Sequence, residues 1–110
     1  MPLPFELSVA DYAAQRASAA SPVLLDVREP DEVATAHIAG SIHIPMADIP
    51  ARIRFAIPSL TTPIVVHCHH GMRSARVADY LQNLGYTHVQ NLTGGIDAWS
   101  AEIDPTVPVY

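Results

Sequence analysis

The chain has 110 residues, of which 49% are hydrophobic and 15% charged, a balance typical of one compact domain spanning residues 1–110. Its formal net charge is −5 and it contains no lysine, so we expect neither nucleic acid nor membrane as a partner. The single cysteine excludes an internal disulfide, and the N-terminal residues do not resemble a signal peptide, so a cytoplasmic location is expected.

Apolar runs that predict strands alternate along the chain with patterns that predict helices. In chain order, the predicted elements are a strand at 5–7, a helix at 9–16, a loop at 17–22, a strand at 23–27, a short helix starting within 28–32, a turn and short strand within 37–45, a helix at 49–56, a strand at 64–67, a helix from 73 to 84, a strand at 86–92 and a short helix from 96. Ser8 and Asp48 are predicted N-caps, and Gly85 fits the end of the fourth helix. This alternation predicts an α/β fold, with an open, mostly parallel sheet of about five strands and helices on both faces.

One loop concentrates the polar chemistry of the sequence. The strand at 64–67 is followed directly by Cys68, His69, His70, Gly71, Met72, Arg73 and Ser74, and then by a helical pattern. The N–H groups and dipole at such a helix start favour an anion and bias a thiol towards its reactive thiolate form. Gly71 permits a turn with positive φ, and Arg73 supplies a permanent charge suited to oxyanions. We therefore predict that Cys68 is a nucleophile, although a lone cysteine at a strand end is more often a small core residue.

Three polar residues at other positions are candidates for supporting roles. Asp26 interrupts a buried apolar run, so it needs hydrogen-bond partners, and a structural role is expected for it. Arg28 leaves the same strand end. Because the carboxyl ends of parallel strands share one edge of a sheet, Arg28 could line the pocket of Cys68 and bind substrate. His37, which precedes the turn at Gly40, is expected to be a structural histidine.

Four stretches, taken together, resemble the rhodanese-like sulfurtransferase family. They are residues 25–29, 37–45, 66–74 and 94–99, and their order and spacing match the family across nearly the whole chain. The resemblance implies a single-domain thiosulfate sulfurtransferase with the rhodanese-like fold. The tail from Asp104 to Tyr110 also resembles the end of rhodanese domains that are fused to activating enzymes for sulfur carriers.

The family resemblance also implies a specific chemistry, which needs no metal or cofactor. Cys68 would take the outer sulfur of a small anionic donor such as thiosulfate, forming a persulfide, and an acceptor such as cyanide, a thiol or a sulfur-carrier protein would remove it. The loop from His69 to Ser74 would bind the donor. Arg73 would contact either the substrate or the loop itself, and Ser74 could cap the helix and donate towards sulfur. Since the chain has no second cysteine, the acceptor must be external.

Three other interpretations stay open at this point. Thiol-based phosphatases and arsenate reductases place five residues between cysteine and arginine, whereas four separate Cys68 from Arg73 here. A non-enzymatic rhodanese-fold module for interaction or sulfur relay typically lacks the cysteine, which is present in this chain. A metal site at 67–70 would need adjacent residues of a tight loop to converge on one ion, although spaced ligands are the norm.

Overall fold

A computed structural model describes residues 3–19 and 21–110; Met1, Pro2 and Ala20, the last within the predicted loop at 17–22, lie outside the described residues. In chain order the elements are β1 (Glu6–Leu7), α1 (Val9–Arg16), β2 (Val23–Asp26), α2 (Pro30–Thr35), β3 (Ile42–His43), a 3₁₀ turn (Met46–Asp48), α3 (Ile49–Ala56), β4 (Ile64–His67), α4 (Met72–Asn83), β5 (Val89–Leu92) and α5 (Gly95–Glu102). The predicted alternation of strands and helices is therefore confirmed.

The five strands form one sheet in the order β1-β5-β4-β2-β3, and every neighbouring pair is parallel. The α/β prediction is confirmed, with a sheet that is parallel throughout these pairs. β4 lies in the centre, and Asp26 at the end of β2 is directly opposite His67 at the end of β4. The residues that follow these strands, Val27 and Cys68, consequently leave the sheet at the same edge, where ligands of open parallel sheets bind.

Helices cover both faces of the sheet, so that successive residues of the two central strands, Leu24 and Leu25 in β2 and Val65 and Val66 in β4, are all buried. Leu25 and Val66 belong to a core cluster that includes side chains of α3 and α4. Leu24 and Val65 belong to a second cluster with Tyr12 of α1 and Trp99 of α5. Successive side chains of a strand point to opposite faces, so a strand buried on both faces reads as the continuous apolar run seen in the sequence.

Local predictions differ from the structure at three places. Ser8 caps α1 through its side chain, as predicted, but Asp48 makes no such cap bond to α3. A 3₁₀ turn runs directly into α3, which leaves Asp48 with φ −94° and ψ −5° instead of the extended backbone that an N-cap favours. β5 begins at Val89 rather than at residue 86, since Tyr86 instead buries its ring and donates its hydroxyl to the carbonyl of Ile57.

The third difference concerns Ser74, which is the third residue of α4 and not its cap. The N-cap is Gly71, with φ 109°, so α4 begins at Met72. Gly85 follows the C-cap of α4 with φ 107°, as the sequence predicts. Among the described residues, no helix combines the length and the apolar character needed to cross a membrane.

Candidate active site

The loop between β4 and α4 surrounds the sulfur of Cys68 with hydrogen-bond donors. The backbone N–H of Gly71 donates to Cys68 Sγ at 3.1 Å, and the hydroxyl of Ser74 lies 3.3 Å from the same atom. The positive φ of Gly71 turns the chain back over the sulfur before α4 begins. Cys68 is 1% exposed, so it lies within the loop and not on its outer surface.

The pKa of the Cys68 thiol results from two opposing effects. Burial raises the pKa, because desolvation disfavours the charged thiolate. Hydrogen bonds from the Ser74 side chain and from the backbone N–H groups of Ser74, Gly71 and His70 lower it, and together they outweigh burial. The net pKa is below the ordinary value of a thiol, which increases the fraction of the nucleophilic thiolate near neutral pH.

The start of α5 holds the peptide groups of this loop in place. The N–H groups of Ile96 and Asp97 donate to the carbonyls of Cys68 and His69, at 3.0 and 3.1 Å. A peptide carbonyl and its N–H point in opposite directions, so these bonds turn the N–H groups of His69 and His70 away from α5. The His70 N–H is one of those that bind the Cys68 sulfur. Gly95 makes this approach possible, since a Cβ there would lie 2.4 Å from the carbonyl oxygen of Cys68.

The guanidinium of Arg73 is paired with a carboxylate instead of lying open to a substrate. Arg73 Nη1 and Nη2 bind Glu32 Oε1 and Oε2 at 2.7 and 2.9 Å, a bidentate pair that joins α4 to α2. Hydrogen bonding to Arg73 lowers the pKa of Glu32 to about 2, and the same pair raises the pKa of Arg73. Of the two expected roles of Arg73, the geometry favours the one within the loop's own structure.

Arg28 is buried, and all its side-chain donors are used inside the protein. Its Nε and Nη2 bind the two carboxylate oxygens of Asp26 at 3.0 and 2.7 Å. Nη2 also donates to the carbonyl of Ala36, and Nη1 donates to the Glu32 carbonyl and the Tyr110 hydroxyl. These bonds account for all five N–H groups of a guanidinium. The structure therefore does not support the expectation that Arg28 binds substrate, because no donor remains to meet one.

Asp26 has the structural surroundings that the sequence suggests. It is fully buried and accepts three hydrogen bonds from Arg28, one of them from the backbone N–H. His67 Nε2 lies 3.6 Å from the same carboxylate, and among the described residues it has no hydrogen-bond partner. Burial lowers the pKa of His67 to about 4, so this ring is neutral at physiological pH.

Three rings, from His69, His70 and Tyr110, stack at the loop. The rings of His69 and Tyr110 are 3.9 Å apart and nearly parallel. The ring of His70 also stacks on that of His69, at a distance of 3.9 Å. The Tyr110 hydroxyl donates to Glu32 Oε2 at 2.9 Å. The tail thus contacts both the loop and the carboxylate that holds Arg73.

His69, His70 and Asp97 offer ligand atoms that all lie within 4.8 Å of one another. The two imidazole rings are stacked, however, with 28° between their planes. Ring-nitrogen lone pairs lie in the ring plane, so stacked rings direct them side by side and not towards one ion. This arrangement does not favour a metal centre.

The remaining candidates lie at the margin of the site or outside it. Met72 is 79% exposed at the start of α4, next to the loop. His37 is exposed in the turn after α2 and lines a surface pocket with Asp104 and Pro108. Among the described residues, no hydrogen bond or ion pair joins His37 to the loop.

Sequence reasoning missed four residues that build the site. They are Glu32, which binds Arg73; Asn91, which binds Ser74; Gly95, whose missing side chain lets α5 approach the loop carbonyls; and Tyr110, which stacks on His69. All four contacts join positions at least 17 residues apart, and local periodicity carries no information on such pairings. A glycine pair before a helix was the one available signal, since it indicates close backbone approach.

Comparison with known proteins agrees with the α/β fold. Residues 9–102 match the family model described as Rhodanese-like domain. The chain is 39% identical over 80 residues to thiosulfate sulfurtransferase GlpE of Stutzerimonas stutzeri, which covers 73% of this chain and 72% of that protein. The chain belongs to the rhodanese-like family.

Two further similarities span nearly the whole chain. Over 104 residues it is 34% identical to adenylyltransferase and sulfurtransferase uba4 of Ogataea parapolymorpha, covering 94% of this chain but only 25% of that protein. The chain therefore spans a quarter of this relative's length. A crystal structure of a rhodanese-related protein from Thermoplasma volcanium has a TM-score of 0.80 and 31% identity, covering 97% of this chain and all of that one.

Proposed function

We propose that this protein is a sulfurtransferase that moves a sulfane sulfur from thiosulfate, or a similar small anionic donor, through a persulfide on Cys68. The observation that carries the proposal is the convergence of the Gly71 N–H and the Ser74 hydroxyl on Cys68 Sγ, at the start of α4. These donors stabilise a thiolate, and they also suit the anionic sulfur of a persulfide. The name of the GlpE relative supports thiosulfate as the donor.

The first half-reaction loads the enzyme. The Cys68 thiolate attacks the outer sulfur of thiosulfate, a sulfur–sulfur bond forms, and the bond between that sulfur and the sulfite group breaks. Sulfite leaves with the electron pair, and the negative charge remains on the terminal sulfur of the Cys68 persulfide. The proposal assigns the stabilisation of this charge to the backbone N–H groups of the loop, since fixed donors at the position where charge develops lower a barrier.

The second half-reaction returns the thiolate. Cyanide, a thiolate or the thiolate of a sulfur-carrier protein attacks the terminal sulfur, and Cys68 leaves as the thiolate that began the cycle. Because Cys68 is the only cysteine of the chain, no internal thiol competes with the external acceptor. The two half-reactions predict ping-pong kinetics for donor and acceptor.

The ion pair of Arg73 distinguishes this proposal from phosphatase or arsenate reductase chemistry. Those reactions need a guanidinium that meets the oxygens of a tetrahedral oxyanion, whereas the charge of Arg73 is already paired with the Glu32 carboxylate through both terminal nitrogens. The loop from Cys68 to Arg73 is one residue shorter than the loop of those enzymes, and a shorter loop suits a smaller transferred group, here a single sulfur atom. The proposal therefore assigns donor binding to the backbone N–H groups, and assigns Arg73 and Arg28 to holding the loop.

Steady-state kinetics with thiosulfate and cyanide test the proposal. Wild type is expected to produce thiocyanate with parallel double-reciprocal lines, and Cys68→Ala is expected to produce none. A folded wild type with no more activity than Cys68→Ala would reject the enzymatic proposal and favour a binding module. Turnover of an aryl phosphate by wild type but not by Cys68→Ser would favour the phosphatase instead.

A further inference from the structure

The hydroxyl of Ser74 lies between two atoms that can accept its proton. Cys68 Sγ is 3.3 Å from Ser74 Oγ, and Asn91 Oδ1 is 2.5 Å from it on the β5 side. Ser74 is fully buried and Asn91 is 2% exposed. A hydroxyl carries one proton, so it can donate fully to only one of these two acceptors at a time.

The orientation of the Asn91 amide is fixed by what surrounds its nitrogen. Asn91 Nδ2 faces the carbonyl oxygen of Gly71 at 3.1 Å and both carboxylate oxygens of Glu6 at 3.1 and 3.2 Å. All three are acceptors, so the amide nitrogen belongs on that side. The oxygen of Asn91 then faces Ser74, and it can accept a proton but cannot donate one.

We propose that Asn91 is a positioning residue that acts through Ser74 and competes with Cys68 Sγ for the Ser74 hydroxyl proton. While Cys68 is a thiol, Ser74 donates to Asn91 and its oxygen accepts from the S–H group. When the thiol proton leaves to solvent, the Ser74 hydroxyl rotates about its Cβ–Oγ bond and donates to the thiolate, which leaves Asn91 Oδ1 without that proton. Ser74 itself loses no proton at any step.

This competition has a defined consequence for reactivity. Asn91 stabilises the states in which the Cys68 sulfur is uncharged, namely the thiol and the inner sulfur of a disulfide-like persulfide, and it opposes the thiolate. Because forming the thiolate costs Asn91 its hydrogen bond from Ser74, the thiolate is a stronger base than it would be without Asn91, and nucleophilicity rises with basicity. The inference concerns the thiol that the proposed sulfur transfer uses, but its test needs no sulfur donor, so either claim can fail without the other.

Other charged and titratable groups lie on the elements and segments around the loop. They are Glu6 of β1, Asp26 at the end of β2 and Arg28 after it, Glu32 of α2, His67 of β4, His69 and His70 of the loop, Arg73 of α4, Asp97 of α5 and Tyr110 of the tail. Arg73 is neutralised by Glu32, and Glu6 also accepts from the Thr93 hydroxyl at 2.8 Å. Substitutions confined to Asn91 and Ser74 retain all of these groups, so a change in Cys68 acidity reports on the hydroxyl proton.

The pH dependence of iodoacetamide alkylation gives the pKa of the single cysteine in wild type, Asn91→Leu, Ser74→Ala and the double variant. Asn91→Leu is expected to lower this pKa by about half to one pH unit, since one neutral hydrogen bond is at stake. Ser74→Ala is expected to raise it by a similar amount. In the Ser74→Ala background, Asn91→Leu is expected to change nothing, because the path through the hydroxyl is absent.

A matched control lies beside Asn91 in β5. Gln90 is also buried, and its amide donates to the carbonyl of Pro4 at 2.9 Å, away from Cys68. Gln90→Leu therefore removes a comparable amide and is expected to leave the pKa of Cys68 unchanged. Three results would overturn the proposal, since a purely structural role of Asn91 produces them: Asn91→Leu leaves the pKa of Cys68 unchanged, Asn91→Leu raises it, or Asn91→Leu changes it by the same amount with and without Ser74.

The infrared S–H stretch of Cys68 tests whether the thiol donates to Ser74, and it requires no substitution of Asn91. Below the pKa of Cys68, wild type is expected to show this band at the lower frequency of a donating S–H group. In Ser74→Ala the band should return to the frequency of an S–H group without an acceptor. A wild-type band at the frequency of an S–H group without an acceptor would overturn the proposal, even where an Asn91 variant fails to fold.

Discussion

Arg73 at the start of α4 and Glu32 in α2 form a bidentate ion pair, with nitrogen–oxygen distances of 2.7 and 2.9 Å. The two residues are 41 positions apart in sequence, and the pair joins the helix behind the active-site loop to the helix after β2. The side chains are 33% and 17% exposed, so solvent screens them only in part. Arg73 therefore contributes its charge to the loop's stability before any substrate arrives.

Replacement of Glu32 tests this structural role of Arg73. Glu32→Gln is expected to lower the free energy of unfolding by about 1.5–3 kcal/mol, the range for charge-assisted hydrogen bonds, with little change in the KM for thiosulfate. Asp31→Asn, which alters an exposed carboxylate in the same helix, is the control. Urea unfolding and steady-state kinetics provide both quantities, and a Glu32→Gln protein of unchanged stability but altered KM would assign Arg73 to the substrate.

His67 predicts a loss of stability in mild acid. Its pKa is about 4 in the folded protein and 6.5 in an unfolded chain, so the unfolded state binds its proton first as the pH falls. Stability is expected to be fully present above pH 6.5 and to decrease between pH 6.5 and about 4, by at most about 1.4 kcal/mol per pH unit. The stabilisation from the ion pair of Glu32 with Arg73 is lost only as the pH falls below 4.5, the pKa of Glu32 in an unfolded chain. The effect of His67 begins at higher pH, so the two can be separated.

Urea unfolding of wild type and His67→Gln from pH 7 to 4.5 measures this effect. The slope of stability against pH should be reduced in His67→Gln, while His37→Gln, which alters an exposed histidine, should behave as wild type. Equal slopes in all three proteins would show that the buried ring of His67 is not the group responsible.

Gly95 is predicted to be essential for the active-site loop, whereas Gly85 is predicted not to affect that loop. Both have positive φ, so a substitution by alanine at either position carries the cost of a left-handed backbone. Only at Gly95 does the added Cβ meet the carbonyls of Cys68 and His69, at 2.4 and 2.6 Å; at Gly85 it would have Leu60 at 3.5 Å. Gly95→Ala should therefore lose most sulfur transfer, whereas a Gly85→Ala protein should be less stable but active when folded. Comparable activity in the two variants would contradict this explanation.

Tyr110 combines stacking with hydrogen bonding, and two substitutions separate them. Tyr110→Phe retains the ring on His69 but loses the hydroxyl that joins Arg28 to Glu32, and a loss of about 1 kcal/mol in unfolding free energy is expected. Tyr110→Ala also removes the stack and should be less stable than Tyr110→Phe. Val109→Ala, at a neighbouring position that is 72% exposed, is the control. Thermal and urea unfolding of the three variants measure the order, which a Tyr110→Ala protein as stable as wild type would contradict.

The sequence predicts the parts of this protein that depend on local chain properties. The Ser8 cap, the glycine after α4, the buried strands and the place of Cys68 at a strand end all follow from short patterns, and the structure has each of them. Family membership also follows, because four stretches in register carry more information than any one of them.

The destinations of the arginine side chains could not be predicted in the same way. Strand geometry correctly predicts that Arg28 lies at the same edge of the sheet as Cys68. Its side-chain donors, however, bind groups inside the protein, among them Asp26, Ala36 and Tyr110. Tyr110 is 82 positions away in sequence, and no periodicity reports such a contact. Asp48 does not cap α3 because it is itself the last residue of a 3₁₀ turn, which sets its backbone angles.

Mass spectrometry of the intact protein after exposure to thiosulfate tests the central claim most directly. Wild type should gain about 32 Da, the mass of one sulfur atom, on Cys68, and the gain should disappear on addition of cyanide or a thiol. Cys68→Ser, which keeps the size of the side chain, should gain nothing. A folded wild type that shows no such gain, or an equal gain in Cys68→Ser, would contradict sulfur transfer through Cys68.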